Sequence, residues 1–229
     1  LEHRSDDVEQ LDLSRTKRET WLFRNNFKYQ INPGSRLLGK LNHSDSTSSQ
    51  GDFFGGGFTE AVLGYALRPV DHDRYNALVK YTYFYNLPTT DQLTLQNVAS
   101  EFIQKSHVAS VDVDFQVTRR FSVGGKYAYR LGLVSLDREN PEFFENRASL
   151  YVLRGDYGFR KHWKFTLETR MLDMADLNER RSGALLSVSR KVGDHMSMGV
   201  GYNFTDFSDD LTDLSFNHHG VFLNVTGFL

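Results

Sequence analysis

Apolar and polar residues alternate with a period of two along almost the whole chain, and few folds can use such a pattern. Trp21, Phe23, Phe27, Tyr29 and Ile31 share one parity, while Arg24, Asn26, Lys28 and Gln30 share the other. Ala77, Val79, Tyr81, Tyr83 and Tyr85 alternate with Asn76, Lys80 and Thr82. The same reading applies around Val111, Tyr127, Phe165, Val200 and Leu223. Successive side chains on a strand point to opposite faces, so each segment reads as a strand with two chemically different sides. The stretch 91–104 is the best candidate for a helix, yet it lies between two strands and reads as a loop.

The links between these segments alternate in length. Short, turn-rich links fall at 32–34, 69–74, 118–120, 160–162 and 192–194. Long polar links fall at 42–57, 86–106, 134–147, 173–182 and 206–219. Pro33, Pro69 and Pro88 stand at strand ends and Pro141 in a long loop, where no ladder donor is lost. Sorting of tight turns to one end and long loops to the other is the mark of an outer-membrane β-barrel, whereas a soluble sandwich has no reason for it.

Charge inside the strands supports the same fold. Lys80, Asp112, Asp114, Lys126, Arg130, Arg154, Asp156, Glu168, Arg170 and Arg190 all sit in mid-strand and are expected to face a polar lumen. The opposite face is expected to meet lipid, with Trp21, Tyr29, Tyr83, Tyr85, Tyr127, Tyr129, Trp163, Tyr202 and Phe204 as interfacial aromatics. Composition fits. Aromatic residues make up 14% of the chain, too many for a disordered one. Mean hydropathy is low, as expected when a lipid-facing half is averaged with a charged half and polar loops. No stretch reaches the roughly 18 apolar residues of a membrane helix. The absence of cysteine excludes disulfides and thiol chemistry. With 27 Lys+Arg against 29 Asp+Glu, the charge balance gives no reason to expect nucleic acid.

About eleven strands are countable from Thr16 onward. The first of them descends from a long loop, so a rising strand should precede it, and single-chain bacterial barrels have even strand numbers. Leu1–Arg4 reads as the upper end of that strand, followed by a loop at 5–15. The expected fold is therefore all-β: one antiparallel up-and-down transmembrane barrel over 1–229, with about twelve strands and a truncated first strand. No signal peptide is present in the sequence, which also points to upstream residues.

Several stretches carry a resemblance to a known family: Arg68–Tyr75 (RPVDHDRY), Lys80–Tyr85 (KYTYFY), Ser106–Asp112 (SHVASVD), Gly125–Gly132 (GKYAYRLG), Ser182–Leu186 (SGALL), Val192–His195 (VGDH) and Gly199–Leu214 (GVGYNFTDFSDDLTDL). Together they resemble the C-terminal barrel module of very large proteobacterial envelope proteins, which carry arrays of repeat domains upstream. The resemblance covers most of 20–229. It implies an anchoring or presenting role, upstream domains of the same protein as partners, and no catalytic residues. Outer-membrane lipid, lipopolysaccharide and the barrel-assembly machinery are further expected partners. Such barrels usually end on an aromatic residue; here Phe228 is penultimate and Leu229 keeps the parity.

Specific sites are few. Asp206, Asp209, Asp210 and Asp213 form an acidic cluster in the last long loop, a candidate for Ca²⁺ or for bridging to lipopolysaccharide. Its spacing lacks the turn glycine and closing glutamate of an EF-hand, and a solvated loop held by Asx turns is the plainer reading. The histidines at 3, 43, 72, 107, 162, 195, 218 and 219 read as solvated rather than metal-binding. Gly55–Gly57 lacks the Lys-Ser/Thr of a phosphate loop. Ser182, Ser187 and Ser189 have no histidine near in sequence and no nucleophile elbow. Asp112 and Asp114 could act as a carboxylate pair, but Lys126 and Arg130 on the next strand suggest ion pairing instead. No enzyme, no cofactor and no metal site is expected. The leading expectation is an outer-membrane anchor with long loops outside and Leu229 on the periplasmic side. The alternative is a channel or porin with a charged lumen. No external loop reads as an obvious plug, although 86–106 is long enough to fold inward.

Overall fold

The computed structural model describes residues 2–9, 15–48, 57–71, 74–86, 103–136, 140–193, 195–212 and 219–227. They form twelve antiparallel strands: β1 (Glu2–Glu9), β2 (Arg15–Asn32), β3 (Ser35–Ser48), β4 (Phe58–Leu67), β5 (Tyr75–Tyr85), β6 (Ile103–Gln116), β7 (Phe121–Ser135), β8 (Phe144–Arg160), β9 (Trp163–Met174), β10 (Glu179–Val192), β11 (Met196–Asn203) and β12 (Gly220–Gly227). Each strand pairs with the next in chain order, so the sheet is a single up-and-down meander. The twelve strands match the number expected from the period-two pattern. Phe228 and Leu229 lie outside the described residues.

Tight turns at one end fix the register. Asn32 accepts the Gly34 N–H on its side chain at 3.0 Å, an Asx turn between β2 and β3. Thr118 Oγ1 accepts the backbone N–H of Arg120 and of Phe121 at 3.2 and 3.0 Å. Between β8 and β9 the chain turns through His162 at a φ of 70°, and between β10 and β11 through Gly193 at 66°.

At the other end, several strands run further than expected. β1 continues to Glu9 and β2 begins at Arg15, so most of the loop expected at 5–15 is ladder. β3 pairs with β2 out to Ser48. β8 begins at Phe144, inside the loop expected at 134–147. The link expected over 173–182 shrinks to one 3₁₀ turn, Ala175–Leu177, closed by Asn178 in the left-handed region at a φ of 50°. Polar side chains are not a barrier to pairing here, because backbone hydrogen bonds ask nothing of side-chain polarity.

β1 covers only part of its neighbour. Its register runs from Glu2 opposite Leu22 to Glu9 opposite Arg15. Phe23–Asn32 of β2 therefore have no partner strand on that side among the described residues, and no pairing joins β12 to β1.

The two faces are inverted relative to a soluble protein. On β8, Leu150 is fully buried, while Leu153, on the opposite face, is 59% exposed. Leu63, Val79, Tyr81, Val111, Phe115, Tyr151 and Val200 are likewise exposed on the outer side. Ser106, Ser110, Thr82 and Arg130 are buried on the inner side. Such an outer surface is stable only against hydrocarbon.

Asn178 offers a local test. A left-handed residue tolerates Asn or Gly but strains a β-branched side chain. Asn178→Val is expected to lower unfolding stability by about 1–2 kcal/mol, with Asn178→Gly close to neutral. Equal effects in denaturant titrations would show that the turn does not depend on this conformation.

Candidate functional site

The inner face carries the chemistry. The ladder places Lys80, Asp112, Asp114, Lys126, Arg130, Arg154, Asp156, Glu168 and Arg170 on it. The pairing between them is not the one that sequence neighbours suggest. Asp112 stands opposite Lys126 in register. Arg130, expected to pair with a carboxylate, instead donates Nε to Ser106 Oγ at 3.2 Å and lies 5.4 Å from the centre of the Phe84 ring. Asp114 pairs with Arg154, two strands away, at 2.5 Å. That reach is open because Gly124 stands between them in both registers. A Cβ on Gly124 would meet Asp114 Oδ1 at 2.5 Å and Arg154 Nη2 at 3.3 Å. Asp156 accepts the Thr166 hydroxyl at 2.5 Å and also faces Arg154 and Lys164, at 3.6 and 3.5 Å. Glu168 and Arg170 form a buried pair at 2.6 Å.

Arg190 departs from the expectation. Its register partner is Trp163, on the outer face, and its guanidinium lies over the indole at 5.4 Å. The segment 182–191 contains two adjacent apolar residues, Leu185 and Leu186, and two adjacent cations, Arg190 and Lys191. Parity is therefore ambiguous from sequence, and the Lys161–His162 turn decides it by setting Lys164 opposite Ser189. Lys191 takes the inward position.

The last long link supplies the inner element that the sequence did not reveal. Residues 205–212 fold into the lumen at the long-loop end. Phe207 and Leu211 are buried against Phe84, Val108, Ala128, Ala148, Leu150 and Leu172 from five strands. Thr205 is fully buried, in space that a Cβ on Gly183 would fill, at 2.3 Å from Thr205 Oγ1. Three wall cations hold the segment: Lys80 Nζ to Asp210 Oδ2 at 3.2 Å, Lys126 Nζ to the Asp209 carbonyl at 2.6 Å, and Arg170 Nη1 to the Phe207 carbonyl at 3.5 Å. The segment is also knitted internally, by Asp210 N–H to Ser208 Oγ and Thr212 N–H to Asp210 Oδ1, both at 3.0 Å. Burying one Phe and one Leu contributes about 3–6 kcal/mol towards keeping it in place.

The acidic cluster is thus divided. Asp210 is a lumen ligand of Lys80 rather than part of an external cation site, Asp206 and Asp209 are exposed, and Asp213 lies outside the described residues. Among the described residues no group of three or more His, Asp or Glu side chains converges as a metal site. Burial works to raise the Asp210 carboxyl, but the Thr212 N–H and the Lys80 ammonium outweigh it and hold the group below its ordinary 3.8. A signal for the inward fold was present in sequence: Phe207 and Leu211 are spaced apolar residues in an otherwise acidic loop.

The aromatics Trp21, Tyr29, Tyr83, Tyr85, Tyr127, Tyr129, Trp163 and Tyr202 all take the outer parity of their strands. Phe204 follows β11 and packs its ring 4.4 Å from that of Tyr202. Tyr127 and Tyr129 stand nearer the middle of β7 than its ends, and Tyr127 packs on Tyr151. His107 also faces out, hydrogen-bonded to the Tyr81 hydroxyl at 2.6 Å. His162 and Ser189 line one cavity at the short-turn end, with no hydrogen bond between their side chains among the described residues.

No family model matches the chain, and no curated protein matches it. Solved structures do. The siderophore receptor PirA from Pseudomonas aeruginosa superposes with a TM-score of 0.58 at 9% identity, over 87% of this chain and 36% of that one. The outer membrane channel DcaP of Acinetobacter baumannii superposes with a TM-score of 0.52 at 13% identity, over 94% of this chain and 63% of that one. The fold is that of an outer-membrane β-barrel. The chain spans less than two thirds of the length of either of these proteins, and at such identities the likeness concerns fold alone.

Two outcomes follow from the lumen geometry. Gly124→Val is expected to push Arg154 from Asp114 and cost about 1–3 kcal/mol, and to cost clearly less in an Asp114→Asn background. Additive effects of the two changes would separate Gly124 from the pair. The depressed Asp210 carboxyl contributes stability that is complete above pH 3.8 and lost as pH falls through its lower folded value. The stability difference between the native chain and Asp210→Asn should therefore be flat from neutral pH to about 4 and shrink below it. A difference that persists unchanged at pH 2 would remove Asp210 from the plug's anchorage.

Proposed function

We propose that the chain is an integral outer-membrane barrel that anchors and presents a larger envelope protein, with its long links outside and Leu229 on the periplasmic side. The observation that carries this reading is the inward-folded 205–212 segment. Its apolar side chains pack on the inner wall of β5–β9 and three wall cations hold it there, so it occupies lumen space at the long-loop end where a porin would need an open path. The outer aromatic face would contact lipid and lipopolysaccharide, the barrel-assembly machinery would insert it, and no catalytic role is assigned to it.

Conductance separates the anchor from a channel. The native chain in planar bilayers is expected to carry no steady current. Combined Phe207→Ala and Leu211→Ala should produce frequent openings, because the plug loses about 3–6 kcal/mol of burial. Steady, ion-selective current through the native barrel would replace the anchor with the channel.

A further inference from the structure

We infer that the short-turn end of the lumen is a binding site for an oligoanion, a ligand carrying two or more phosphate or carboxylate groups. This goes beyond anchoring, which needs no ligand. A cavity of 870 Å³ opens there, lined by the lower ends of β6–β11 and their turns. Its volume falls within the range of small-molecule sites.

The cavity's charge is one-sided. Arg120 enters from the β6–β7 turn, Lys161 from the β8–β9 turn, Lys164 from β9 and Lys191 from β10, while Arg160 borders the cavity in register with the outward Trp163. Asp156 is the carboxylate in the lining, and it is already occupied by Thr166, Arg154 and Lys164. Arg120, Arg160, Lys161 and Lys191 have no carboxylate within ion-pair distance among the described residues. These cations are exposed at the cavity, and uncompensated charges of one sign around a concavity give it a positive potential. The chain as a whole has a formal net charge of −2, so this potential is a local construction.

The arrangement also selects the kind of anion. The cations come from separate strands and turns around the cavity, which suits several linked charges better than one. Arg120 presents a guanidinium fork that fits phosphate or carboxylate oxygens in pairs. Ser122, Ser189 and Ser197 lie between them and offer hydroxyls to the same oxygens. Arg190 provides an internal contrast: it neighbours Lys191 in sequence but faces outward over Trp163.

The test uses the full chain in lipid nanodiscs, with calorimetric titration of two probes, inorganic tripolyphosphate and citrate. Binding of tripolyphosphate alone assigns phosphate groups, binding of citrate alone assigns carboxylates, and binding of both assigns charge without further selection. Each of these supports the site if affinity falls about tenfold or more in Arg120→Gln/Lys191→Gln and weakens with salt. Arg190→Gln should leave affinity unchanged, and Lys191→Arg should retain it. Heat-modifiable gel mobility verifies that each variant is folded. Failure of both probes to bind the native chain, or equal affinity in the double variant and the native chain, overturns the proposal. Either failure leaves the anchor reading intact, since that reading is decided by conductance.

Discussion

The structure depends on one constraint: a backbone surrounded by hydrocarbon must satisfy its own N–H and C=O groups. An antiparallel ladder does this strand by strand, each strand from β1 to β11 pairing with the next in sequence order. Once the ladder is continuous, side chains on one face are released to meet lipid and those on the other to meet the interior. Leu150 and Leu153, three residues apart on β8, show the result: the same residue type is fully buried on the inner face and mostly exposed on the outer one.

The interior then has to manage charges that the outer face cannot accept. It does so by reaching past nearest neighbours. Arg154 spans Gly124 to meet Asp114, and Arg130 settles on Ser106 and the Phe84 ring. At the long-loop end, wall cations meet the carbonyls and one carboxylate of the 205–212 segment. Gly124 and Gly183, two of the glycines at close approaches, lie on this inner face and make room for another residue's side chain. The inner face thus has two levels, one packed with apolar side chains along β5–β9 and the other polar and rich in cations.

Much of this was legible in the sequence, for physical reasons. Period-two alternation survives wherever one face is held to a single chemistry, so strand positions and most inward charges could be read directly. The extended upper strands could not, because polar residues pair as readily as apolar ones when both faces meet water. Arg190 could not, because the Leu185–Leu186 and Arg190–Lys191 doublets break parity and leave the choice to the β8–β9 turn. The acidic loop was misplaced because its aspartates dominate its composition, while Phe207 and Leu211 decide where it goes.

The sequence by itself determined the strand count, the two faces of most strands and the sorting of turns to one end, since each is set by local periodicity and turn chemistry. Only the tertiary structure decided which charges meet, where the last link goes and that uncompensated cations collect at the short-turn end. Those outcomes depend on distances between strands far apart in the chain, and such distances exist only once the ladder has curved and brought the inner faces together.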